Sequence, residues 1–139
     1  MAVHVLAVLA YKEGDPVTSS FLAASVNTNP VVVRRLLLAL QRAKLVDTRK
    51  GAGLGSRLSR SPGRISLAQV YRAVEDDEGF TLPAKKPNPA CPVGHCIQKA
   101  LEPVFASAQG ALVKELAGTT LGDVLRAVKA ACDGQEKAA

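Results

Sequence analysis

The chain has 139 residues, 47% of them hydrophobic but only 4% aromatic, with no tryptophan; that allows one compact domain plus an appended element, with a core of Leu, Val and Ala. A net charge of +6 and a pI near 9.5 favour a polyanionic partner. No apolar run reaches the ~18 residues that span a bilayer, and an odd count of three cysteines argues against a secreted disulfide framework, so the expected compartment is the cytoplasm.

The opening "MAVHVLAVLAY" lacks a basic leader and is followed by "KEGD" rather than a small-residue cleavage site, which predicts a buried helix over Ala2–Lys12 instead of a signal peptide. His4 on that apolar helix reads as a packed residue. "GDP" ends it, and Thr18 or Ser19 caps a short second helix burying Phe21, Leu22 and Val26. "NTNP" is a turn in which Thr28 or Asn29 serves as the cap and Pro30 takes the first helical position, where its missing N–H costs nothing.

At 100° per residue, a third helix from Pro30 to Ala43 places Val33, Leu36, Leu37 and Leu40 on one face. Arg34, Arg35 and Arg42 fall away from that face, together with Val31. "KLVDTRK" then alternates like a strand, "GAGLG" is a glycine-rich turn and "SRLSR" can return as a second strand. Three helices followed by a hairpin carrying Arg49, Lys50, Arg57 and Arg60 is the order of a winged helix-turn-helix. The fold class expected is therefore mainly α, with a small two-stranded wing.

"ISLAQVYRAVE" predicts a fourth helix capped by Ser66, with Leu67, Val70, Tyr71 and Val74 at helical spacing and the acidic run "EDDE" as its solvated end. Four prolines and two glycines in "GFTLPAKKPNPACPVGHC" predict an extended linker. A long helix is expected over Ile97–Leu116. Leu101, Phe105, Ala108, Leu112 and Leu116 form its stripe, widened by Ile97, Val104 and Ala111, while Pro103 either kinks it or marks its start. "TTLGDVLRAVKAAC" predicts a final short helix capped by Thr119 or Thr120, with "DGQEKAA" a loose tail. The division expected is a DNA-binding domain over 1–76, a linker over 77–96 and a helical dimerisation region over 97–139.

Charge follows this division. Residues 1–74 hold 11 Lys/Arg against 3 Asp/Glu, whereas residues 75–139 hold 7 against 9. A basic half joined to a slightly acidic half fits a nucleic-acid module with an appended element; an accidental imbalance on an ordinary soluble protein is the plainer alternative.

In "AVHVLAVLA", "TNPVVVRRLLLALQRAKLV", "GAGLGSRLSR" and "ISLAQVYRAVE" the chain resembles the Rrf2 family of bacterial winged-helix transcription regulators, and the resemblance runs through almost its whole length. It implies a homodimer on palindromic operator DNA, more often as a repressor, with a long C-terminal dimerisation helix pairing the protomers through Ile97, Leu101, Val104, Phe105, Ala108 and Leu112. Several members sense iron–sulfur clusters, nitric oxide or cysteine availability. Cluster-binding members place three cysteines in the linker and the start of the long helix; here Cys91 and Cys96 lie there, and "ALEPVF" stands where a third is expected. The pattern therefore resembles the cluster-free branch, with no cofactor and an effector of unknown identity. Members also carry polar residues ahead of the "AVHVL" stretch, so any DNA contact made by such a leader falls outside this sequence.

The candidate DNA contacts are Thr28, Asn29, Pro30, Val31, Arg34 and Arg35 at the front of the third helix, since a recognition helix meets the major groove with its first turns. An arginine fork bonds guanine bidentately, for ~1–3 kcal/mol of discrimination. The plainer reading of the arginine pair is a solvated face paired with Asp47 or Glu75. Arg49, Lys50, Arg57 and Arg60 read as phosphate or minor-groove contacts, or as a merely exposed basic hairpin. Gly51, Gly53 and Gly55 need only a tight turn. "CPVGHC" is open to three readings: ordinary cysteines beside a turn, a thiol switch of Cys91 and Cys96 with His95 favouring the thiolate, or a metal site short of ligands. No catalytic constellation stands out, so neither an enzyme nor a metal site is expected. A protein-interaction adaptor that has lost DNA binding and a metal or cluster sensor are the rival classes.

Overall fold

The computed structural model describes residues 1–51, 54–75 and 85–138. In chain order the elements are α1 (Ala2–Tyr11), α2 (Ser19–Val26), α3 (Pro30–Arg42), strands β1 (Val46–Arg49) and β2 (Gly55–Leu58), a single 3₁₀ turn (Pro62–Arg64), α4 (Leu67–Val74), α5 (Pro92–Ala117) and α6 (Leu121–Ala138). This is the mainly helical winged helix-turn-helix that the sequence predicts.

Short polar side chains set the helix starts. The Thr18 hydroxyl accepts the Phe21 N–H at 3.2 Å to open α2, and Asn29, rather than Thr28, caps α3 by accepting the Val31 N–H at 2.8 Å, with Pro30 in the first turn. Ser66 and Gln69 exchange backbone and side-chain hydrogen bonds in a capping box at the start of α4. Between α2 and α3 the chain turns through Asn27 in the left-handed conformation (φ 55°), which asparagine tolerates better than most residues.

The core gathers Val5, Leu6 and Leu9 from α1, Leu22 from α2, Val33, Leu37 and Leu40 from α3, and Ile65, Val70 and Leu121. Two side chains depart from expectation. Phe21 is 48% exposed, because the eight-residue α2 turns Leu22 and Ala23 inward instead; its ring carries the Lys12 ammonium 4.9 Å from its centroid. His4 is exposed rather than packed, with Nε2 3.2 Å from the Ser25 hydroxyl.

The strands pair antiparallel in the register Val46↔Leu58 to Arg49↔Gly55. Val17 adds a bridge on the far side of β2, exchanging both backbone hydrogen bonds with Ser56. This explains Gly55, which does more than serve a turn: a Cβ there would stand 2.7 Å from the Val17 nitrogen, on a backbone already at φ +149°. Gly53, the acidic run past Glu75 and linker residues 77–84 lie outside the described residues.

The long helix begins at Pro92, five residues ahead of expectation. The proline read as linker is a helix-starting proline in the first turn, and the helix runs on through Pro103, which is therefore not its start. The final helix reaches Ala138 instead of stopping near Cys132; Gly134 costs ~1 kcal/mol, and the Gln, Glu, Lys and Ala around it are good helix formers. Thr120 caps this helix by accepting the Asp123 N–H at 3.1 Å. Just before it, the Thr119 carbonyl accepts the Leu67 N–H at 2.9 Å, and the Leu121 N–H donates to the Ile65 carbonyl at 2.8 Å. The start of α6 is thereby tied to the helix-turn-helix.

Candidate nucleic-acid interface

The open face of α3 is built by exclusion. Val33, Leu37 and Leu40 are drawn into the core, so helical geometry leaves Val31, Arg34, Arg35 and Leu38 outward, all exposed. The first turn has no acidic residue, and the aligned peptide dipoles of the helix add positive potential there. Asn29 and Pro30 shape this turn, Asn29 spending its side-chain oxygen on the cap. Thr28 is half-buried, and its N–H is held by the Ala23 carbonyl at 2.9 Å.

The two arginines have different settings. Arg34 donates Nε to the Ser19 hydroxyl at 3.3 Å, which steadies it against the start of α2. Arg35 lies along the front of the helix in line with Val31 and Leu38. Neither pairs with Asp47 or Glu75: Asp47 Oδ2 lies 3.5 Å from Arg57 Nη2, its directly opposed neighbour across the hairpin.

The wing cations accordingly divide into two sets. Arg49 and Lys50 share one cleft with Arg34 between α3 and the hairpin. Arg57 is tied to Asp47. Arg60 is half-buried and donates to the Lys44 carbonyl at 3.2 Å, at the end of α3 remote from its first turn. There Lys44 takes the left-handed conformation (φ 59°) that closes the helix. The four hairpin cations predicted as a group are thus two facing α3 without a partner among the described residues and two with partners in the protein.

The sequence reading missed three participants in this face: Ser19, which positions Arg34, and Leu38 and Leu54, which are 49% and 50% exposed beside the cations. The helical wheel carried the signal for Leu38, which falls among the arginines; Ser19 depends on how α2 packs against α3, and Leu54 on how the hairpin folds back.

Cys91 precedes the first turn of α5 and Cys96 lies within the helix, both exposed. Five residues of helical rise separate the two by about 7.5 Å along the axis, beyond the ~7 Å Cα limit of a disulfide, so bridging them requires the first turn of α5 to open. Among the described residues no group of three His, Cys, Asp or Glu side chains is placed to hold a metal ion.

No residue of the 26-residue α5 is buried. Ile97, Leu101, Phe105, Ala108 and Leu112 are half-covered, and on that side Gln109 Nε2 donates to the Tyr71 hydroxyl of α4 at 3.2 Å. Val93 and Val104 are 67% and 57% exposed, as is Val128 of α6 at 50%. No helix among the described residues is long and apolar enough to cross a membrane.

A family model described as Rrf2, iron-dependent transcriptional regulator, matches residues 1–127. The chain is 43% identical over 125 residues to YwnA of Bacillus subtilis strain 168, named as a candidate HTH-type transcriptional regulator; the match covers 90% of this chain and 92% of YwnA. A crystal structure described as that of a candidate DNA-binding protein superposes with a TM-score of 0.70 at 42% identity, covering 89% of this chain and 95% of the other. CymR, the global cysteine regulator of B. subtilis, gives a TM-score of 0.64 at 24% identity, covering 90% of each chain; at that identity the likeness speaks to the fold alone.

Proposed function

The chain belongs to the Rrf2 family of winged-helix transcriptional regulators, and on that premise we propose that it reads a palindromic DNA operator as a homodimer, acting as a repressor. The observation that carries this reading is the front of α3: Val31, Arg34 and Arg35 exposed, with Arg49 and Lys50 of the hairpin sharing a cleft with Arg34 and the hairpin carboxylate, Asp47, already paired. Arg35 and Val31 enter the major groove, the arginine offering its fork to guanine and the valine an apolar contact to a thymine methyl. Arg49 and Lys50 hold the flanking backbone.

The dimer is supported by α5. A helix of 26 residues that buries none of them while exposing Val93 and Val104 has an apolar face left for a second copy. Packing two such helices fixes the separation of the recognition helices, which must fall near one helical turn of DNA or a multiple of it. An effector acts by changing that separation, through α5 and the contacts of Thr119 and Leu121 with the helix-turn-helix.

Exposure of Cys91 and Cys96 supports thiol control as a second reading. Selection of bound duplexes from a random pool, with and without reductant, tests both. A palindromic consensus is the expected outcome; salt-sensitive retention without enrichment sinks operator reading. A consensus that is unchanged between the two conditions, with equal affinity, removes the thiols from control.

A further inference from the structure

The cleft between α3 and the hairpin has a volume of about 430 Å³, within the ~300–1,000 Å³ range of small-molecule sites. Its floor and walls include Leu37, Leu38 and Leu54, and its rim holds Arg34, Arg49 and Lys50, with no carboxylate among the lining residues. Leu37 is buried, but Leu38 and Leu54 are about half exposed, large apolar side chains left uncovered in a basic setting. A phosphodiester backbone satisfies the rim and has nothing to offer the leucines. A molecule with one anionic head and an apolar body satisfies both.

We propose that this cleft binds a small amphipathic anion, a carboxylate or sulfonate on an aryl or branched-alkyl body, and that its occupancy excludes DNA. The head sits between the Arg34 guanidinium and the Arg49 and Lys50 side chains; the body lies against Leu38 and Leu54. Exclusion needs no long-range conformational change, because the ligand occupies the cations that the DNA backbone uses, and the competition is reciprocal by linkage. This second part rests on the reading of the face as the DNA interface.

The probe is 8-anilinonaphthalene-1-sulfonate, which combines a sulfonate with an apolar body and fluoresces when taken out of water. Wild-type protein is expected to bind one dye per chain in this cleft. Leu38→Gln and Arg49→Ser, both at exposed positions, each weaken binding about tenfold. Val128→Ser, which alters another exposed apolar side chain on α6, leaves it unchanged. A mixed-sequence duplex at low salt displaces the dye. Dye binding that is absent, or equal in wild type and both cleft variants, overturns the site. Dye that stays in the cleft while the duplex binds overturns the competition. Duplex binding is measured separately, without dye, by anisotropy of the labelled DNA. Failure there with a cleft that still takes up dye removes the DNA reading and leaves the ligand site standing; duplex binding with no cleft-dependent dye does the reverse.

Discussion

Leu121 donates its backbone N–H to the Ile65 carbonyl at 2.8 Å, and both side chains are completely buried in one core. The first residue of the last helix is therefore a core residue of the helix-turn-helix. Leu121→Ala removes buried methyl groups where Ile65 and α1 meet α6, and should destabilise the protein by ~2–5 kcal/mol. Urea unfolding followed by circular dichroism checks this; a change under 1 kcal/mol, roughly that of a surface substitution, would mean that α6 is only loosely seated.

On the proposed reading Arg35 meets a base and Lys50 a phosphate, and one variant of each separates the two roles. Arg35→Ala should lower the discrimination between the selected operator and a single-position variant by about 1–3 kcal/mol, relaxing preference at one base pair of each half-site. Lys50→Ala should weaken binding to all sequences alike and reduce the salt slope by about one. Anisotropy titrations at several salt concentrations distinguish the two outcomes, and equal effects on both measures from both variants would reject the assignment.

Local features of this fold were legible in the sequence wherever the deciding residues were neighbours in the chain. The caps at Thr18, Asn29 and Ser66, Pro30 in the first turn of α3 and the apolar stripe of that helix all depend on contacts within a few residues. The setting of Arg60 was not legible, because its partner, the Lys44 carbonyl, is brought to it only by the return of the hairpin. Gly55 is fixed by the approach of Val17, 38 residues earlier. Pro92 could be read as linker or as helix start, and a proline-rich context favoured the wrong choice. The candidate face was visible as a set of arginines; which of them have partners in the protein was not, because hairpin register decides that Asp47 meets Arg57.

That register yields a prediction for Asp47. The pair is 40% and 46% exposed at 3.5 Å, and surface pairs of this kind contribute ~0–1 kcal/mol, so Asp47→Ala should leave stability nearly unchanged. It removes a negative charge from the hairpin and frees the Arg57 guanidinium. DNA affinity should rise a few-fold, with a steeper salt dependence. Weaker binding in this variant would show that Asp47 orders the hairpin for docking rather than withholding a cation from it.

Asp123 supplies the pH dependence. Its carboxylate accepts the Thr120 N–H at 2.8 Å and the Thr120 hydroxyl at 2.9 Å and pairs with Arg126. Chiefly through the Thr120 backbone bond, its pKa is held below the usual 3.8. With the folded value depressed, the unfolded chain binds the extra proton over the interval between the two values, so stability rises with pH across it. The contribution is fully present above the ordinary aspartate value and is lost as pH falls through the lower, folded one. Asp123→Asn keeps an acceptor oxygen but cannot titrate. The stability difference between wild type and this variant should therefore be constant near neutrality and shrink in acid below about pH 4. Urea unfolding of both proteins from neutral pH into acid measures that difference, with the charge effects common to both cancelling. A difference that stays flat through the acid range would mean that the cap works equally well with a neutral side chain, and that the Arg126 pair adds nothing to the seating of α6.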